Sequence, residues 1–227
     1  MDKSKIVDLT QKIIKGKEPF PYDFTIDDVT KVIPEVKHHP DDWYVVSNLT
    51  FCTHIGTHIE APFHHKKDGR DLADVDFREL IGPLVVIDVT KKKDKEEITL
   101  ADVQAYDKKI VKGSIVFFWT GADKLFHTEK WEDLKPYLAP EAAKWLADRG
   151  IACIGCDSPD IEVPGLLKQP VHEAVFEKEI PMVESCCNLE SVANGDYVCF
   201  VMHVPYVGVD SIPCRIIAIP VAEMKWP

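Results

Sequence analysis

Apolar and β-branched residues recur in short blocks at Ile6–Leu9, Tyr44–Phe51, Leu84–Val89, Ile115–Trp119, Ile151–Cys156, Pro181–Ser185, Tyr197–Val204 and Cys214–Pro220. Blocks of this kind, bounded by glycine, proline and charged residues, predict strands. Three other segments predict helices. Thr99-Leu100-Ala101-Asp102 has the form of a capping box ahead of Val103–Ile110, the run from Pro140 to Arg149 opens with proline and stops at Gly150, and a short helix is expected over Val171–Lys178. Strands interspersed with helices predict a single mixed α/β domain over residues 1–227, without fixing the strand order. The charged stretch Lys91–Glu97 reads as a solvated loop. Residues 16–42, with Pro19-Phe20-Pro21-Tyr22-Asp23 and His38-His39-Pro40-Asp41-Asp42, are expected to form one long irregular loop, a feature that is usually functional or mobile.

Composition narrows the function classes. A chain of 227 residues can bury most of its unfolded surface and needs no metal or disulfide merely to fold. Its 27 basic against 38 acidic side chains give a net charge of −11, a field that repels a phosphate backbone and argues against nucleic acid as a partner. The longest uncharged apolar-rich stretch, Tyr197–Val209, contains His203 and Pro205 and is too short for a membrane span. Alternating charges at Asp2-Lys3-Ser4-Lys5 occupy the place where a secretory signal would need an apolar core, so the chain is expected to remain in the cytoplasm. The seven cysteines agree with that reading, being odd in number and set in apolar runs. Cys153 and Cys156 have C-x-x-C spacing but no second pair to complete a Cys₄ site, and they are expected, like Cys186 and Cys187, to be small buried hydrophobes.

The chemistry concentrates in one segment. Four of the nine histidines, His54, His58, His64 and His65, fall within twelve residues together with Glu60. Imidazoles beside a carboxylate are typical ligands of zinc, manganese or iron. A lone histidine is more often a satisfied packing residue, but here Gly56 and Pro62 interrupt regular structure and allow the chain to aim several side chains at one point. A straight strand would hold the Cα atoms of His54 and His58 roughly 13 Å apart. Chelation of one ion therefore requires a kink or a single helical turn near Gly56. Taken alone, His172 and Glu184 read as ordinary surface or capping groups, although an acid within Pro181-Met182-Val183-Glu184-Ser185 is costly unless paired or bound to a metal.

The stretch His54-Ile55-Gly56-Thr57-His58-Ile59-Glu60-Ala61-Pro62-Phe63-His64 resembles the signature H-x-G-T-H-x-D-x-P-x-H of the cyclase family of metal-dependent hydrolases, which includes kynurenine formamidases and isatin hydrolases. Every fixed position matches except the aspartate, which is Glu60. The resemblance runs from Val7-Asp8-Leu9-Thr10 through Lys67-Asp68-Gly69, Leu80-Ile81-Gly82-Pro83 and the G-x-D-[ST]-P-like Gly155-Cys156-Asp157-Ser158-Pro159 to Pro213-Cys214-Arg215. It implies a swivelling β/β/α-like fold and one or two divalent ions, zinc or manganese, held by His54, His58, Glu60, His172 and Glu184. It further implies that His64 is the catalytic acid/base in hydrolysis of an amide or lactam C–N bond of a small aromatic or cyclic substrate. Phe20-Pro21 stands where kynurenine formamidases carry a tryptophan-proline pair, which makes Phe20 a candidate substrate contact. The longer Glu60 implies an ion spacing or metal preference different from that of the aspartate enzymes.

Two other classes compete. A nucleophilic hydrolase would need an activated serine or cysteine, yet the chain has no G-x-S-x-G and Cys186-Cys187 has no neighbouring base in sequence. A non-catalytic metal or small-molecule binding protein of the same fold would be expected to keep the ligands and lose the acid/base, whereas His64 is present. The family also implies a homo-oligomer, dimer or tetramer.

Overall fold

The computed structural model describes residues 2–224 apart from Leu134. The strands are β1 (Val7–Asp8), β2 (Tyr22–Asp28), β3 (Val45–Phe51), β4 (His58–Glu60), β5 (Ile81–Asp88), β6 (Glu97–Ile98), β7 (Ile115–Trp119), β8 (Tyr137–Leu138), β9 (Cys153–Cys156), β10 (Met182–Glu184), β11 (Tyr197–Met202), β12 (Ser211–Pro213) and β13 (Arg215–Pro220). The helices are α1 (Val29–Val32), α2 (Leu100–Gln104), α3 (Pro140–Asp148) and α4 (Pro170–Phe176).

Nine strands form one mixed sheet in the order β1-β13-β11-β5-β7-β9-β10-β4-β12. Its centre, β5-β7-β9-β10, is parallel. Parallel neighbours need crossover connections, and α2, α3 and α4 lie between successive strands of this set. The flanking pairs are antiparallel. Only Cys214 separates β12 at one end of the order from β13 near the other. One nearly continuous strand thus joins the two flanks, and an isolated bridge between Thr10 and Cys186 ties them again. The sheet is curled on itself.

Curling, with helices packed outside, gives the central strands two buried faces, and residue alternation assigns them. Leu84, Val86, Ile115, Phe117, Cys153 and Val183 pack inside the curl with Ile59, Val201, Ile212 and Ile216. Their sequence neighbours Val85, Ile87, Val116, Phe118, Ile154 and Met182 point outward onto Val103, Leu146 and Val175 of the three crossover helices. The expected central strands and helices form close to their anticipated bounds. At α2 the capping box is present, with Thr99 and Asp102 exchanging side-chain-to-backbone hydrogen bonds, but the α-helix ends at Gln104 and turns carry the chain to Ile110.

Residues 16–42 are not one irregular loop. Tyr22–Asp28 pairs with β3 in a two-stranded antiparallel ribbon, and α1 follows, capped by Asp28. The many polar positions in Tyr22–Asp28 conceal a strand because the ribbon stands apart from the main sheet and neither face is fully buried. Lys91–Glu97 is a largely exposed connection whose last residue enters β6. The seven cysteines are free thiols, all buried except the half-buried Cys52. Burial raises the thiols of Cys153, Cys156 and Cys186, and Cys187 is pushed up to about 12, so these are packing groups rather than nucleophiles. Among the described residues no helix is long and apolar enough to cross a membrane.

Phe117, fully buried inside the curl, fills space that no neighbour can reclaim cheaply. Phe117→Ala is expected to lower the free energy of unfolding by about 3–5 kcal/mol, a loss that urea titration of the two proteins measures directly.

Candidate active site

The chain turns sharply at Gly56, whose φ of +58° lies in the left-handed region. A Cβ there would approach Ile13 Cγ1 to 2.7 Å, so both the conformation and the space favour glycine. The turn brings the rings of His54 and His58 to a centroid separation of 5.1 Å. It is a bend feeding directly into β4, not a helical turn. Within β4, His58 and Glu60 share one face because side chains alternate. Antiparallel pairing sets Glu184 of β10 directly opposite His58. His172, the third residue of α4, reaches the same point from the crossover connection.

Of these five side chains, all except His54 belong to residues at least nine-tenths buried, and their contacts are mutual. Glu60 Oε1 lies 2.8 Å from His54 Nδ1 and 3.5 Å from His58 Nε2. Glu60 Oε2 lies 3.4 Å from His172 Nε2, and the Glu184 carboxylate lies 3.5 Å from His58 Nε2 and 3.9 Å from His172 Nε2. His58 Nδ1 donates to Gly56 O at 2.9 Å, which leaves Nε2 to face the carboxylates. His172 Nδ1 bonds Glu162 Oε2 at 2.9 Å with the same result. Fixing one imidazole nitrogen so that the other points inward is how metal-binding histidines are held.

Fit to an ion can be tested on the polar atoms themselves. Buried His58 Nε2 and Glu60 Oε2 have no hydrogen-bond partner, which is expensive unless something else satisfies them. Among the described residues three triplets have ligand atoms close enough to hold an ion: His54-His58-Glu60 and Glu60-His172-Glu184, which share the buried Glu60, and the less buried His54-His64-Asp210. The N/O donor set suits a divalent cation.

Electrostatics points the same way. Burial, then the charge of Glu60, pushes Glu184 up to about 7. Burial also opposes ionisation of Glu60, but the adjacent imidazoles of His172, His54 and His58 outweigh it and hold that carboxyl well below its usual range. Burial disfavours charge on His58 and His172 as well, yet the facing carboxylates of Glu184 and Glu60 raise the first to about 10, and the hydrogen bond to Glu162 together with the carboxylate of Glu60 raises the second to about 10. Two protonated imidazoles thus balance the acids that a divalent cation would otherwise neutralise.

His64 follows β4 in a short 3-10 turn begun by Pro62. Its Nε2 lies 3.9 Å from Glu60 Oε1, and its Nδ1 lies 2.8 Å from Asp210 Oδ2. Asp210 Oδ2 also bonds His54 Nε2 at 3.0 Å. His65, the fourth histidine of the segment, stacks on His172 with rings 11° from parallel; burial and the neighbouring His172 and His64 lower it to about 4, so it packs as a neutral ring. The cluster opens into a cavity of about 380 Å³ walled on one side by Phe20 and Trp131. Phe20 remains half exposed, while Trp131 is buried against Phe126.

The structure therefore gathers His54, His58, Glu60, His64, His172 and Glu184 and sets Phe20 on the cavity wall. It adds Asp210, Glu162 and Trp131, which sequence reasoning missed. Asp210 and Glu162 carry the signal that singled out Glu184, an acid next to apolar strand or loop residues. The histidines they serve lie 156 and 146 residues away for Asp210 and 10 residues away for Glu162, too far for local sequence to pair them.

The fold and this inward-facing set of imidazoles and carboxylates place the chain in a known class. It belongs to the cyclase family: the model described as putative cyclase matches residues 7–163. Among its relatives, the kynurenine formamidase of Bacillus cereus is 28% identical over 178 residues, covering 78% of this chain and 80% of the other. That of Geobacillus thermodenitrificans is 31% identical over 170 residues, covering 75% and 78%. A solved structure of a potential metal-dependent hydrolase with cyclase activity superposes with a TM-score of 0.73 at 26% identity, covering 94% of this chain and 96% of that one. An isatin hydrolase bound to the product analogue thioisatinate shares the fold, with a TM-score of 0.80 at 21% identity over 95% and 92% of the two chains.

Glu162 accepts hydrogen bonds from the backbone N–H groups of Val171 and His172 as well as from the His172 ring. Burial works against its ionisation, but these bonds prevail and its carboxyl lies below the usual value of about 4.5. The stability it contributes is thus complete above that value and is lost as pH falls through the depressed folded one. Glu162→Ala is expected to cost about 1–3 kcal/mol at neutral pH by leaving buried donors unpaired. In urea titrations the gap from wild type should narrow on acidification.

Proposed function

We propose that this chain hydrolyses an amide or lactam C–N bond in a small aromatic or cyclic substrate, with His54, His58, Glu60, His172 and Glu184 holding one or two divalent ions, zinc or manganese. The observation that carries the reading is the convergence of these five side chains, two of their buried polar atoms unpartnered, at the base of a cavity with aromatic walls. The kynurenine formamidase relatives, named for hydrolysing a formamide, support the C–N bond as the target. A divalent ion bound here would bring the pKa of water down to about 7 and polarise a carbonyl oxygen.

His64 moves the proton. With Nδ1 bonded to Asp210, its Nε2 points toward Glu60 and is placed to deliver a proton to the departing nitrogen. Asp210 contributes by holding the ring, as orienting carboxylates do for catalytic imidazoles. Phe20 and Trp131 offer apolar faces to a planar group and keep water from that side. That Glu60 belongs to two of the ligand triplets supports room for a second ion. The domain is taken to span the whole chain and to work in the cytoplasm. Exposed Ile26, Val32, Ile33, Trp43 and Leu49 on and beside the β2–β3 ribbon support a homo-oligomer, since a two-stranded ribbon is rarely stable with its apolar side chains in water.

A panel of N-formyl aromatic amines and isatin-like lactams, assayed with zinc or manganese and again after chelation, tests the function. Turnover that disappears with the ion and returns on its addition is expected, and ion binding without turnover of any member would favour a binding protein. His64→Ala is expected to retain the ion and lose about 10²- to 10⁴-fold in kcat. Phe20→Ala should raise KM more than it lowers kcat.

Ion uptake should also depend on pH. Because His58 and His172 hold protons up to about 10 in the ion-free protein, binding must displace them, and affinity should fall as pH falls. Calorimetric titration in two buffers of different ionisation enthalpy counts the protons released; a count of zero would contradict the assignment of these ligands.

A further inference from the structure

Glu18 lies outside the ligand cluster, in the segment just before Phe20, yet its side chain is 1% exposed. A buried carboxylate is tolerated only when its oxygens are fully engaged. Glu18 Oε1 accepts from Ile14 N at 2.8 Å and contacts His127 Nε2 at 2.7 Å. Its other oxygen accepts from the backbone N–H of Gly56 at 3.1 Å. Gly56 is the left-handed residue at the turn, and its own carbonyl receives the Nδ1–H of His58. His127 is itself held in the left-handed region, at φ +65°, an arrangement that persists in a non-glycine residue when the surroundings impose it. Its ring packs on Phe126, which in turn packs edge-on against Trp131.

We infer that the Glu18–His127 pair is a positioning device that fixes the Gly56 turn, and through Gly56 O the orientation of His58, while tying both aromatic walls of the cavity to that turn. The inference rests on the metal-binding reading above. The pair touches neither ion ligands nor substrate directly. Its effect passes along one chain of contacts, from Glu18 to Gly56 N–H, through the left-handed glycine, and from Gly56 O to His58. Phe20 lies two residues from Glu18, and Trp131 connects to His127 through Phe126. A shift of the carboxylate therefore moves ligand and wall together.

The test compares zinc affinity, by chelator competition, in wild type, Glu18→Gln, Glu18→Ala and His127→Phe, alongside urea unfolding of each ion-free protein. Glu18→Gln keeps the volume but removes one acceptor, and His127→Phe keeps a ring but no hydrogen bond, so both carry the test should Glu18→Ala fail to fold. Outer partners of metal ligands typically change affinity about 10- to 100-fold. Weakening of that size is expected in Glu18→Ala, with a smaller loss in Glu18→Gln. Thr99→Ala, in the distant cap of α2, is expected to lower stability and leave zinc affinity unchanged. If the Glu18 and His127 variants lose stability but bind zinc as wild type does, the pair only packs and the inference is overturned. A wild-type protein that takes up no zinc or manganese would overturn the metal reading itself, and this inference with it.

Discussion

Everything at the site depends on bringing two carboxylates, Glu60 and Glu184, into a buried volume and keeping them there. Burial disfavours charge on each, and side by side in a medium of low polarity they also repel each other; burial first and the Glu60 charge second displace Glu184 upward. Only cationic partners make the arrangement tolerable. His58 and His172 supply that charge as protonated rings in the ion-free protein, and a divalent cation would supply it more compactly. The same interaction explains why the imidazoles are anchored from behind: Gly56 O and Glu162 take their outer nitrogens, so that the inner nitrogens have nowhere to point except at the acids.

The curled sheet makes this affordable. Its parallel centre, covered by three helices on one side and filled with apolar side chains on the other, fixes β10 rigidly. β4 is only three residues long, but it is clasped between β10 and β12, and both pairings are in register with His58 and Glu60. A ligand-bearing strand on the flank of a well-packed sheet has little freedom to relax when its charges change. Catalysis and ion binding both benefit from such preorganisation.

Asp210 joins the two halves of the chemistry. One of its oxygens bonds both His54, in the proposed ligand set, and His64, the proposed proton carrier. Hydrogen bonding to these two histidines outweighs burial and keeps its carboxyl below the usual range. The proposed ligand ring and the proposed acid/base ring are therefore oriented by a single group, and a change in the charge of one reaches the other through the two hydrogen bonds that share Asp210 Oδ2.

The sequence by itself determined the alternation that builds the central strands, the capping box at Thr99 and the break at Gly56. It also marked the dense histidine segment as chemically distinct. Those features are local, because periodicity, capping and turn preference act between residues a few positions apart. Tyr22, Phe24 and Ile26 alternate with Asp23, Thr25 and Asp27 as a strand requires, but three aspartates within seven residues and the prolines ahead of them mask that short pattern. Only the tertiary structure decided which acids serve which histidines. Asp210 meets His54 across 156 residues and Glu18 meets His127 across 109, contacts set by how the sheet curls and not by any spacing along the chain. A carboxylate reads the same in sequence whether it faces water or a buried imidazole, and it is the folded surroundings that give it a role.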